Sequence, residues 1–186
     1  MTNIVPIWHQ NWVHRYYQLG LSIFPLRYKS KSPPKGIKWS QYQSVKPPSQ
    51  QISVWLSTGY FWNIAVICGN ISNNLVCFDF DDPTILTDII PNPMDLTKKI
   101  VLGAWVVKSP RGYHIYLRSD KQVNFTRLVS KSKKLELRGN KTFVVLPPST
   151  NSMSVKYRLL NTLNPANLCL PDKQDVYGIW DSWKDV

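Results

Sequence analysis

Acidic residues are scarce in this chain: 11 Asp and Glu stand against 23 Lys and Arg, a net charge of +12. A surplus of that size points to a polyanionic partner, with nucleic acid the commonest and an anionic membrane or plain solubility the alternatives. Cysteine is also sparse. Cys68, Cys77 and Cys169 form no CxxC pair, which gives no sign of a zinc ribbon or of a disulfide framework. Cys68 and Cys77 sit in apolar runs and read as buried thiols, in keeping with a reducing cytoplasm. No apolar run approaches the ~20 residues of a membrane span. Met1 to Trp12 lacks a charged segment followed by an apolar one, so no signal peptide is evident. No GxxxxGK[ST] loop is present, which leaves no helicase motif in the chain. His9, His14 and His114 make no paired-histidine motif, which disfavours a rolling-circle endonuclease.

What is there is a globular composition, 43% hydrophobic and 12% aromatic, over 186 residues, enough for one substantial domain or two small modules sharing a core. The pattern predicts a helix over Ile4–Leu19 stopped by Gly20 and a strand over Leu21–Leu26. A Pro-rich basic loop, Arg27–Lys38, follows, and a helix over Ser49–Ser57 is predicted with Ser49 as N-cap. Strands are predicted at Asn63–Cys68, Leu75–Phe80, Ala104–Lys108, Tyr113–Arg118, Leu135–Leu137, Phe143–Leu146 and Val155–Leu160, and partial helix within Thr84–Ile100. Asn161–Val186 is weakly patterned and reads as a docked arm or the start of a linker. Mixed helices and strands place the fold in the α+β (mixed α/β) class.

Four features could carry chemistry. In Phe78-Asp79-Phe80-Asp81-Asp82, side chains two apart on a strand share a face, so Asp79 and Asp81 point one way and the phenylalanines into the core. Two adjacent carboxylates repel unless a cation lies between them, and an oxygen-only pair suits Mg²⁺ or Mn²⁺. The alternative is an exposed strand end, with Asp82 capping the helix that Pro83 begins. Next, Lys108-Ser109-Pro110-Arg111-Gly112-Tyr113-His114 is a tight turn leading to a histidine. Its hydroxyl, guanidinium and backbone N–H groups could hold phosphate oxygens, or His114 could be a structural, hydrogen-bonded residue. Third, Glu136 in Leu135-Glu136-Leu137-Arg138-Gly139 lies either on a solvent face or at a site. Last, Lys29, Lys31, Lys35 and Lys38 read as a solvated loop or as phosphate contacts; Trp39 and Tyr42 beside them are core anchors or base-stacking platforms.

In this order the features resemble the archaeo-eukaryotic primase superfamily, and more narrowly the bifunctional primase/polymerase N-terminal domains of plasmid and viral replication proteins. The resemblance rests on Asp79-Phe80-Asp81, on Ser109-Pro110-Arg111-Gly112-Tyr113-His114 and on Leu135-Glu136-Leu137. Lys31-Ser32-Pro33 with Trp39, the strand Asn63–Gly69 and Val144-Val145-Leu146-Pro147-Pro148-Ser149 extend it over Gly20–Ser149. It implies a single catalytic domain across residues 1–186, an α/β module packed with an RRM-like module and the active site in the cleft between them. It further implies Asp79, Asp81 and Glu136 as catalytic metal ligands for two Mg²⁺ or Mn²⁺ ions, with no zinc. His114, Ser109, Arg111, Lys108 and Arg138 would bind the nucleotide, and Lys31, Lys35 and Lys38 the nucleic acid. Partners would be a single-stranded DNA template and primer, dNTPs or NTPs, and C-terminal accessory or helicase domains in a longer protein. A metal-dependent nuclease and a non-catalytic single-strand-binding module are the rival readings.

Overall fold

The computed structural model describes residues 5–89, 103–160, 162 and 164–185. In chain order the elements are α1 (Ile7–Gln18), β1 (Ile23–Leu26), α2 (Ser49–Ser57), β2 (Asn63–Ile67), β3 (Leu75–Phe80) and α3 (Pro83–Ile89). Then come β4 (Trp105–Lys108), β5 (Tyr113–Ser119), β6 (Arg127–Val129), β7 (Leu135–Arg138), β8 (Phe143–Leu146), β9 (Arg158–Leu159), β10 (Lys173–Gln174) and α4 (Val176–Trp183). The class is mixed α+β. A small antiparallel sheet runs β1-β2-β8, and a larger one runs β6-β7-β3-β5-β4-β9, with β10 pairing parallel to β5.

The larger sheet is covered on both faces, so β3 reads as a nearly continuous apolar run rather than an alternating one. One face carries Val76, Phe78, Phe80, Ile115, Leu135 and Leu137 against Ile85 and Leu86 of α3 and Trp180 and Trp183 of α4. The other carries Leu75, Cys77, Trp105, Val107 and Tyr116 into a core shared with the small sheet, α1 and α2. Asp79 is the next residue on that second face. The apolar layer between the sheets therefore ends where the aspartates begin.

Several boundaries differ from the sequence pattern for local reasons. The first helix starts at Ile7 behind Pro6, and Gly20, at φ +77°, ends it as expected. Ser49 is the first residue of α2 rather than its cap; extended Pro48 holds the cap position without a side-chain hydrogen bond, and Ser49 Oγ donates to Gln50 Oε1. Asp82 does cap α3, accepting from the backbone N–H of Thr84 at 3.0 Å, and Lys134 Nζ lies 2.7 Å from its other oxygen. The helix expected within Thr84–Ile100 is present to Ile89, and the remainder lies outside the described residues. The strand expected at Val155–Leu160 shrinks to Arg158–Leu159, because Asn151 Oδ1 accepts from the N–H groups of Met153 and Val155 and turns the chain there. Among the described residues no helix is long and apolar enough to cross a membrane.

Candidate active site

Strand register assembles the site. Asp79 on β3 lies opposite His114 on β5 and opposite Glu136 on β7, so the three form one row across adjacent strands. The hairpin Ser109–Gly112 folds over the end of β3. A β-carbon on Gly112 would lie 2.0 Å from the carbonyl oxygen of Phe80, so only glycine permits this approach. Ser109 N–H donates to the Gly112 carbonyl, and Gly112 N–H donates to Ser109 Oγ, both at 3.0 Å. The closed turn holds Arg111 Nη2 2.7 Å from Asp81 Oδ1.

Each carboxylate faces a cation of the protein. Asp79 Oδ1 lies 3.2 Å from His114 Nε2 and its Oδ2 lies 3.8 Å from Arg138 Nη2. Burial works to raise the Asp79 carboxyl, but the charge and hydrogen bond of His114, with Arg138 and Lys31, outweigh it and hold it below the ordinary carboxylate range. Glu136 is buried. Its Oε1 accepts from Arg127, and its Oε2 makes an ion pair with Arg138 but no hydrogen bond.

Behind His114, the Tyr116 hydroxyl donates to the carbonyl of Val145 on β8 at 2.9 Å and lies 3.0 Å from His114 Nδ1. Burial raises the Tyr116 phenol well above its usual range, so the hydroxyl keeps its single hydrogen. With that hydrogen committed to Val145, Nδ1 must be the donor to Tyr116.

Two cavities meet at this row. The first, about 460 Å³, is lined by Lys29, Lys31, Asn63, Asp79, Asp81, Ser109, Arg111, His114, Tyr157 and the 150–153 loop. The second, about 330 Å³, is lined by Lys31, Trp39, Asp79, His114, Arg138 and residues 141–145. Residues of both sheets contribute to each.

A family model described as bifunctional DNA primase/polymerase, N-terminal (Prim-Pol), matches residues 13–172. The chain belongs to this family. Among curated proteins no relative matches the sequence. The match thus runs past the motif core of Gly20–Ser149, taking in the second half of α1 and the segment up to β10.

The structure brings Asp79, Asp81, Ser109, Arg111, His114 and Lys31 of the sequence-derived site to the first cavity, and Arg138 to the second. Glu136 is the strand neighbour of Asp79 but lines neither cavity, being turned to its two arginines. Lys108 also lines neither; its ammonium lies 4.0 Å from the centre of the Tyr113 ring. Lys35 and Lys38 stay exposed on the loop away from both.

Sequence reasoning missed Arg127, Asn63, Tyr116, Lys141 and Tyr157. Arg127 lies on a three-residue, largely exposed strand, too short to show a strand pattern in the sequence. Asn63 exchanges hydrogen bonds with the backbone of Thr150 at 2.8 and 2.9 Å and so holds the 150–153 loop on the cavity, a pairing across 87 residues. Tyr116 was findable: it stands two residues after His114 on the same strand face.

Family membership implies a divalent ion here. Among the described residues no group of three or more His, Cys, Asp or Glu side chains is arranged to hold a metal. A magnesium-type ion does not require one, since it is commonly bound by one or two carboxylates completed by water and substrate phosphates. Asp79 and Asp81, an all-oxygen pair opening on one cavity, fit that partial shell.

Proposed function

We propose that the chain adds nucleotides to a DNA strand as directed by a single-stranded template, with release of pyrophosphate from a bound nucleoside triphosphate. The observation that carries this reading is the convergence of Asp79, Asp81 and His114 on one cavity flanked by Lys29, Lys31 and Arg111. Mg²⁺ or Mn²⁺ bound there would stabilise both the attacking 3′-hydroxyl oxygen and the leaving pyrophosphate oxygen. Asp79 and Asp81 would hold it. Glu136 is the third carboxylate of the proposed set, and it would join them by exchanging an arginine for the ion.

The chain's other residues position the triphosphate. Arg111, Lys29 and Lys31 offer charge to phosphate oxygens, and the Nε2 side of His114 offers a hydrogen-bond donor at the same place. Arg138 and Lys141 line the second cavity and supply positive charge on the other side of the row. Lys31, which lines both cavities, together with Lys35 and Lys38 on the same loop, would follow the backbone of the template and primer.

A gel assay on a primed single-stranded template with dNTPs and Mg²⁺ or Mn²⁺ tests the reading. Extension by the native chain, with a loss of roughly 10³-fold or more in Asp79→Asn and Asp81→Asn, is expected. Undiminished extension in both variants overturns it. Shortening of labelled DNA without dNTPs identifies a nuclease instead, and tight DNA binding without either reaction identifies a binding module.

A further inference from the structure

We infer that Tyr116 is a positioning residue for His114, fixing how the ring is turned by accepting from Nδ1 and tying that orientation to the edge of the opposite sheet. This rests on the proposed nucleotidyl transfer for its kinetic consequence but not for its geometry. Tyr116 is fully buried, so no water competes for its hydroxyl. Its hydrogen goes to the Val145 carbonyl at 2.9 Å, and His114 Nδ1 lies 3.0 Å from the Tyr116 hydroxyl oxygen itself. An imidazole has one nitrogen to spare for the cleft, and the partner of the other decides how the ring is turned. Here Tyr116 takes Nδ1, and Nε2 is left facing Asp79 Oδ1 at 3.2 Å.

The acceptor at the end of this chain of hydrogen bonds belongs to β8, the edge strand of the small sheet, whereas His114 and Tyr116 belong to β5 of the large one. His114 and Val145 line both cavities. The Tyr116 hydroxyl thus joins the two sheets at the point where the cavities meet. A change in sheet separation there would be felt at the imidazole through one hydroxyl. Packing alone would not require a hydroxyl at this position, since a phenylalanine fills the same volume in an otherwise apolar layer.

Two measurements on the whole chain test this. In ¹⁵N–¹H spectra of the imidazole nitrogens, assigned among the three histidines by loss of the signal in His114→Gln, Nδ1 of His114 is expected to carry a slowly exchanging hydrogen. A bare Nδ1 overturns the proposal, whether or not the chain extends primers. The second is a kinetic cycle. Tyr116→Phe is expected to lower kcat/KM for the incoming nucleotide by roughly 10–100-fold, the usual effect of removing the partner that orients a functional histidine. In a His114→Gln background the same change is expected to add less than about 2-fold. A full additional loss in that background overturns the positioning role, because Tyr116 would then act through packing alone. Should Tyr116→Phe fail to fold, or the native chain show no extension, the spectrum decides, and in the latter case only the nucleotidyl-transfer reading falls.

Discussion

Replacing Glu136 by Gln separates two contributions of one side chain. Glu136 is the buried member of a cluster with Arg127 and Arg138, with 9% of its side chain exposed. Removing the negative member of a fully buried pair costs about 3–5 kcal/mol, because the partner charge is left uncompensated. Two features reduce that here. Arg127 is 48% exposed, so its share is that of a surface pair, about 0–1 kcal/mol. Arg138 is 28% exposed and keeps a second carboxylate, Asp79 Oδ2, at 3.8 Å, which leaves its share at about 2 kcal/mol. The expected loss is therefore about 2–3 kcal/mol, or a fall of about 1 M in the urea midpoint at an m-value of about 2 kcal/mol/M. Circular dichroism on Glu136→Gln and native protein at pH 7 measures it. Asp81→Asn is the control, since its ion pair with Arg111 is exposed on both sides and should move the midpoint little. If Glu136→Gln abolishes extension with an unshifted midpoint, the arginine cluster has no structural weight and the reasoning fails.

Three other outcomes follow from the same structure. His9 is buried with Nε2 lacking a hydrogen-bond partner, and burial lowers its pKa from 6.5 to about 4. A depressed folded-state pKa contributes stability that is complete above 6.5 and is lost as pH falls toward 4, about 3 kcal/mol in all; urea midpoints should fall across that window in native protein and much less in His9→Leu. Gly112→Ala puts a β-carbon against the Phe80 carbonyl and should cost about 1–3 kcal/mol. It should also release Arg111 from Asp81, so a variant with native thermal stability would show that the turn tolerates the side chain. Trp183 packs against Phe78 and Phe80 with ring centres 5.0 and 5.8 Å away, and Trp183→Ala should cost about 3–5 kcal/mol in chemical denaturation, whereas a loss under about 1 kcal/mol would mean that α4 is not docked as described.

The sequence by itself determined what depends on near neighbours along the chain. The period of two in a strand places Asp79 and Asp81 on one face and Phe78 and Phe80 on the other, and β3 and β8 fall at the residues the pattern predicts. The same holds for the turn at Ser109–Gly112, for the cap at Asp82, and for the order of acidic, histidine and acidic motifs that carries the family resemblance. Ser49 and Val155–Leu160 show where this ends: α2 spans the predicted residues but its cap position falls to Pro48, and hydrogen bonds to one asparagine side chain shorten the strand at Val155–Leu160, neither of which a periodicity encodes.

Only the tertiary structure decided which charges meet. Strand order puts His114 and Glu136 on either side of Asp79, although they lie 35 and 57 residues further along the chain. It turns Glu136 to Arg127 and Arg138, leaves Lys108 over Tyr113, and makes the Tyr116 hydroxyl reach Val145 on the other sheet. The physical reason is reach. Face and turn are set within a few residues by backbone sterics, whereas ion pairs and hydrogen bonds act over about 3 Å between side chains that only the packing of two sheets brings together.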